Sequence, residues 1–342
     1  MIKKSLPQAR PKVYDLYWIF AARRQTIFER RVAGLPQPWT DDVILRKFKF
    51  CNVFRAADRV SQYLIRHVAY REPHDTPANR LFQILAFRTF SNTETWDRVI
   101  AELGHAPTLN DLKSGVFEAS LDLVKAQVGG LYTGAFILCA TKTFGFDEKH
   151  KNYVALFKHM FLKSAVAEKI LKAKSLESVV RLLESFPLIG SFMSYQIAID
   201  LNYSALVNFS ENDYTQAGPG ALRGIKKAFV HPGGYTPAEI VQLMVERQES
   251  EFARLGLEFH GLWGRRLHAI DCQGLFCELD KYCREAVPEL VSERTRIKSR
   301  FAASTLPINY FFPPKWRLSD KVHKARTSVS NASSGIGLLF RT

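Results

Sequence analysis

The chain has 342 residues, 46% of them apolar, and carries 48 Lys and Arg against 33 Asp and Glu for a formal net charge of +15. That apolar share is enough to build a large core, in one elongated domain or two packed helical halves, and it excludes a disordered protein. No apolar run approaches the roughly eighteen residues of a membrane span, the longest being Leu131–Ala140, interrupted by Thr133 and Gly134.

The charge is uneven. Residues 1–70 hold 14 Lys and Arg against 5 acidic residues, residues 291–342 hold 10 against 2, and the segment between them nets −2. A cationic surface supplied by the two ends suits a polyanion, with a merely solubilising surface as the plainer alternative. Membrane binding is disfavoured, because no strongly amphipathic basic helix with an aromatic face stands out. Five cysteines, an odd number with no visible signal peptide, favour free thiols and a cytoplasmic setting, with no obligate protein partner evident.

In chain order, residues 1–11 read as a flexible basic arm, with Pro7 and Pro11 setting Lys3, Lys4 and Arg10 apart. A helix follows, in which Tyr14, Tyr17, Trp18, Ala21 and Ile27–Phe28 recur at helical spacing. After GLPQPW, Thr40 is placed to cap a second helix carrying ILRKFKFCNVFRAADRVSQYLI, with Asp41 and Asp42 in its first turn. Segments 81–102, 109–128, 151–184, 237–255 and 274–286 also read as helices, and period-two alternation is scarce. The fold class is therefore all-α. The body spans residues 12–318, and residues 319–342, rich in Ser, Gly and basic residues, read as a mobile tail.

Residues 185–224 are the most telling stretch. One helix ends near Ser185, Pro187 and Gly190 make a tight turn, and a new helix starts at Ser191. Such a turn leaves backbone N–H groups around Leu188, Gly190, Ser191 and Phe192 available to a phosphate. The second helix carries Gln196, a connector leads to Asn212 and Asp213, and the chain turns through Gly218 and Gly220 into a cationic helix bearing Arg223. This arrangement resembles the helix-hairpin-helix DNA glycosylases, in which an L-P-G-x-G hairpin is followed by a catalytic aspartate. The resemblance implies two packed helical subdomains with a DNA cleft between them. It also implies that Asp213, beside Asn212, serves the glycosidic bond. Two positions depart from that pattern: Leu188 replaces the first hairpin glycine, and Phe192 occupies the place of the lyase lysine.

Three further segments, 38–65, 80–96 and 267–285, resemble a helical family linked to thymine hypermodification in phages. That family comprises the alpha-glutamyl/putrescinyl thymine pyrophosphorylases and the helical domain of 5-hydroxymethyluracil DNA kinases. The resemblance spans residues 12–318 and implies DNA with bulky modified pyrimidines as partner and substrate, modified phage DNA above all. Asn52, Arg55, Asp58 and Arg59 fall at one-turn spacings and can share a helix face toward a ligand, or form an interhelical ion-pair network. Phe90, Ser91 and Asn92 stand where related glycosylases push a side chain into the base stack, although Phe90 suits a core equally well. Asp271 and Lys281 join Gln273, Glu278 and Asp280 in a polar cluster on an otherwise apolar helix.

Metal and cofactor are not expected. Cys272, Cys277 and Cys283 are one thiolate short of an iron–sulfur site, and the histidines show no zinc-binding spacing. The leading expectation is a DNA glycosylase that flips out a hypermodified pyrimidine, such as glucosylated hydroxymethylcytosine, and leaves an abasic site, in phage defence. The first alternative is a base-modifying enzyme of pyrophosphorylase or transferase type acting on DNA. The second is a non-catalytic DNA-binding module.

Overall fold

The structure is a computed structural model that describes residues 4–133, 142–290, 294–297, 299–302 and 309–318. The tail 319–342 lies outside the described residues, as does most of the apolar run Leu131–Ala140. The described part is overwhelmingly helical, with a single two-stranded sheet, so the all-α expectation holds. It divides between Asp213 and Tyr214, and again between Asp58 and Arg59, into two compact units.

The first unit comprises residues 1–58 and 214–342. Its α1 (Pro11–Val32) starts with proline at its first turn and buries Tyr14, Tyr17, Trp18, Ala21, Ile27 and Phe28, the stripe its spacing predicted. The arm before it is not loose where it is described. Gln8–Ala9 (β1) pairs antiparallel with Phe229–His231 (β2), and the Ser5 N–H donates to the Gly233 carbonyl at 3.0 Å.

The long second helix expected from residue 44 to 65 is broken. Asp42, not Thr40, caps a short α2 (Val43–Lys47) by accepting from the N–H groups of Ile44 and Leu45. The chain then runs extended through Phe48, which bridges to Arg300, and makes a 3₁₀ turn at Arg55–Ala57. Side chains cause the break: Asn52 and Asp58 bond backbone groups that a helix would have used.

The second unit, residues 59–213, opens with α3 (Arg59–Tyr63) and a π-helical turn at Leu64–Ala69. Segment 81–102 divides into α4 (Pro77–Phe90) and α5 (Thr93–Leu103), where Ser91 turns left-handed at φ 49° and Asn92 caps the second helix. Likewise Gly115, at φ 89°, separates α6 (Leu109–Ser114) from α7 (Val116–Val128). Segment 151–184 resolves into α8 (Lys149–Phe157), a π-helical turn, α9 (Val166–Leu171) and α10 (Leu176–Glu184). A tight turn joins α10 to α11 (Ser191–Tyr203), as the sequence suggested. Arg88 of α4 and Asp200 of α11, 1% and 0% exposed, form a two-pronged ion pair that ties these helices together within the core.

The chain returns to the first unit through α12 (Pro219–Ala228), α13 (Pro237–Arg254) and α14 (Ala269–Ala286). The last begins five residues earlier than its apolar pattern predicted, because Asp271 accepts from the His268 N–H and closes a capping box. No helix among the described residues is long and apolar enough to cross a membrane.

Candidate functional site

In the second unit, the turn Phe186–Gly190 has the form its residues implied. Leu188 sits at φ 66°, in the left-handed region where the pattern carries glycine, and Gly190 precedes the first turn of α11 with open space around its Cα. Ser191 and Phe192 are half-buried beside it, while Gln196 is buried on α11. Asn212 and Asp213 lie in a turn. The Asp213 N–H donates to the Ser210 carbonyl at 3.3 Å, and its side chain is exposed. Phe90, 2% exposed, packs against Tyr132, and Ser91 bonds back to the Arg88 carbonyl while Asn92 caps α5. A side chain so enclosed is core, so the wedge expected at Phe90 is corrected to a packing residue.

Two glycines and the arginine of α12, where phosphate contacts were expected at Gly218, Gly220 and Arg223, make close contacts with α14. A Cβ on Gly220 would stand 2.3 Å from the Cys277 sulfur, and one on Gly224 would stand 2.0 Å from the Phe276 carbonyl oxygen. Their lack of a side chain lets α12 lie directly on α14. Gly218 is buried at the start of α12. Arg223 donates through Nε to Asp280 at 3.0 Å, and Lys227 and Arg284 complete a three-cation shell around that fully buried carboxylate. Burial alone would raise the Asp280 pKa, but the three donors outweigh it and hold it below the usual carboxylate value. Arg223 thus pairs with Asp280.

A cavity in the first unit is lined by Arg24 and Ile27 of α1, by the loop Gln37–Thr40 and by residues of α2 and the extended stretch after it. It has a volume of about 340 Å³ and is lined by Trp39, Phe48, Phe50 and Phe301, together with Arg24 and Arg46. Such a volume falls at the lower end of small-molecule sites, which run from about 300 to 1,000 Å³. Phe301 is brought in from a distant segment: its N–H donates to the Lys47 carbonyl at 3.1 Å, and the Lys49 N–H donates to Ser299 at 3.0 Å.

Behind this wall runs a polar ladder made of residues picked out in the sequence. Arg24 Nη2 donates to Asn52 Oδ1 at 2.7 Å, and the Asn52 amide donates to the Ala57 carbonyl at 2.8 Å. The Asn52 backbone N–H donates to Asp58 at 2.8 Å, and the Arg55 N–H donates to Asp271 at 3.0 Å. Glu278 accepts from the Cys51 N–H at 3.0 Å and from Lys281 at 3.1 Å, while the Lys281 ammonium lies 4.4 Å from the Phe50 ring centre. Asn52, Arg55, Asp58, Asp271 and Lys281 thus converge, though not on the continuous helix face expected of the first three. Arg59, the first residue of the other unit, is exposed. Burial pushes the Asp58 carboxyl up to about 6, against the opposing pull of the Asn52 N–H and of Arg24. The charges of Glu278 and Asp58 hold the Cys51 thiol well above its ordinary value.

Trp39, Phe48, Phe50, Arg24 and Arg46 were missed by sequence reasoning, yet one signal was legible. The run RKFKF, residues 46–50, alternates cations with aromatic rings as nucleic-acid surfaces do. The charge is partitioned the same way. The unit that holds the cavity has 31 Lys and Arg against 17 acidic residues, net +14, whereas residues 59–213 carry 17 against 16.

Residues 11–292 match the sequence profile of a family described as the helical domain of 5-hmdU DNA kinase. The chain is 26% identical over 300 residues to a 5-hmdU DNA kinase of Bacillus phage SP10, an alignment covering 81% of this chain and 46% of that protein. The chain thus spans about half the length of the curated relative it matches. No solved structure matches it. These findings overturn the glycosylase expectation: the relative is named as a kinase, a group-transfer enzyme, and not as a hydrolase of N-glycosidic bonds. The roles given to Asp213 and Asn212 in glycosidic cleavage fall with it.

Proposed function

Because this chain belongs to the family of the 5-hmdU DNA kinase helical domain, we propose that it acts on DNA as a base-modifying transferase, seating a 5-substituted pyrimidine in the cavity of its cationic unit. The observation that carries this reading is the origin of the cavity wall. Trp39, Arg46, Phe48 and Phe50 all come from segment 38–65, one of the stretches that resemble the family, and the ladder behind them draws Asp271, Glu278 and Lys281 from another.

A base in a duplex reaches such a seat only by leaving the stack, at a cost of a few kcal/mol. Stacking on aromatic side chains returns about 1–3 kcal/mol per base. Arg46, which lines the cavity, and the exposed Lys47 and Lys49 next to lining residues in the chain supply phosphate contacts. The N–H groups at the start of α11 make a second proposed phosphate contact, next to Leu188 and Gly190. Asp58 acts as a positioning residue, keeping Asn52 and Arg24 in place.

A second reading is that these residues capture the base and the transfer chemistry lies elsewhere. It is favoured by the relative's greater length and by the lack of any G-x-x-x-x-G-K-[ST] run in the 342 residues. One experiment separates the two. The protein is incubated with magnesium, ATP and oligonucleotides carrying 5-hydroxymethyluracil, and the nucleosides are then weighed by mass spectrometry. A mass gain on the modified nucleoside supports the transferase. Preferential binding of the modified oligonucleotide with unchanged nucleosides supports capture alone, and neither binding preference nor mass gain refutes both.

A further inference from the structure

Helix α7 (Val116–Val128) is apolar on two faces. One, with Phe117, Leu121 and Val124, is buried in the second unit. On the other, Val116, Ala119, Leu123 and Ala126 are exposed, Val116 at 49% and Leu123 at 54%. The remaining exposed residue of the helix, Gln127, donates to Glu102 at 2.8 Å. A helix that is apolar all round is ordinarily enclosed, and a contiguous apolar face left in water marks a contact surface.

The spacing of that face fits another helix, and its sizes fit a copy of itself. Val116 and Leu123 are seven residues apart, as are Ala119 and Ala126, which is the seam along which one helix packs lengthwise on another. Large and small side chains alternate along it: Val, Ala, Leu, Ala. A second α7 laid antiparallel sets Val116 against Ala126 and Leu123 against Ala119, each large side chain over a small one. Such self-complementarity is what a two-fold interface requires.

Charge admits the same partner. Two copies of a +15 chain repel each other, but residues 59–213, which contain α7, hold 17 Lys and Arg against 16 acidic residues, so a copy can approach this unit. That neutrality also makes the face unsuited to a nucleic acid. The charged residues of α7 are already paired: Glu118 with Lys158 at 3.1 Å, Asp122 with Lys151 at 3.6 Å and Lys125 with Glu148 at 2.6 Å. Docking along the apolar face therefore strands no lone charge. From these observations we propose that the exposed face of α7 is a homodimer interface, two copies of this chain joining α7 to α7 antiparallel about a two-fold axis. The interface lies in the unit that does not hold the aromatic cavity, so it stands whether or not that cavity seats a base. One helix face is a small contact, below the roughly 1,200 Å² of standard complexes, so the pairing is reversible and depends on concentration.

Sedimentation equilibrium of the full chain over a rising concentration series is expected to show an average mass climbing from 39.0 kDa toward twice that value. Leu123→Glu and Ala119→Lys, both at exposed positions, are each expected to stay at 39.0 kDa, with circular dichroism melting to check that they fold. Mixed in equal amounts they are expected to regain the larger mass, because antiparallel pairing sets the lysine introduced at 119 against the glutamate introduced at 123. Should either charged variant fail to fold, Leu123→Ser takes its place, with the same loss of the larger mass expected. A wild-type mass of 39.0 kDa at every concentration overturns the pairing and leaves the face to a different protein. A mass increase that survives both single variants overturns the placement on α7. Folded variants that stay monomeric when mixed overturn the antiparallel register.

Discussion

Burial drives the Asp58 carboxyl up to about 6, even though the Asn52 N–H and the Arg24 guanidinium both pull it down. The folded protein thus holds this proton more tightly than the unfolded chain, whose aspartates titrate near pH 4. The associated stability is complete below about pH 4 and is lost as pH rises through about 6. Asp58→Asn keeps an oxygen for the Asn52 N–H and removes the titration. Urea unfolding from pH 4 to pH 8 should show the wild type losing on the order of 2 kcal/mol relative to this variant; parallel curves would show that Asp58 titrates normally. At this scale the sequence was a partial guide. Asn52, Arg55, Asp58, Asp271 and Lys281 could be picked out as polar residues in apolar surroundings. Arg223 had the same appearance, yet it serves Asp280, because which carboxylate a cation meets depends on how helices distant in sequence are packed.

Among the elements, the helices were legible and their interruptions were not. Apolar spacing marked α1, α11 and α13, whereas the breaks at Phe48–Phe54 and at Ser91 come from side chains bonding to the backbone and from a pairing with residue 300, which no local pattern encodes. Those breaks matter, because the extended stretch after α2 is what turns Phe48 and Phe50 toward the cavity. The glycines of α12 show the converse. They suggested a phosphate contact, but the α12–α14 contact explains Gly220 and Gly224 without one. Gly224→Ala would push a methyl group against the Phe276 backbone, which cannot move as a side chain can, and should cost about 3 kcal/mol or more in chemical denaturation. Gly190→Ala, with open space around it, should cost less than about 1 kcal/mol. Equal effects would show that α12 and α14 are not in direct backbone contact.

Across the whole molecule, the two-sided charge of the sequence becomes one body. Both cationic ends belong to the unit that also contains α12–α14, and that unit carries +14 of the +15 net charge together with the aromatic cavity. The α10–α11 turn is legible in the sequence because its motif is compact, while the cavity draws on residues from 24 to 301 and only the folded chain assembles it. Where the base goes can be read covalently. Irradiating the protein with a single-stranded oligonucleotide carrying one 5-iodouracil, then sequencing the cross-linked peptides by mass spectrometry, should place the adduct on Trp39, Phe48, Phe50 or Phe301. Adducts confined to the turn at residues 188–192, with none on those four rings, would show that the base is held elsewhere.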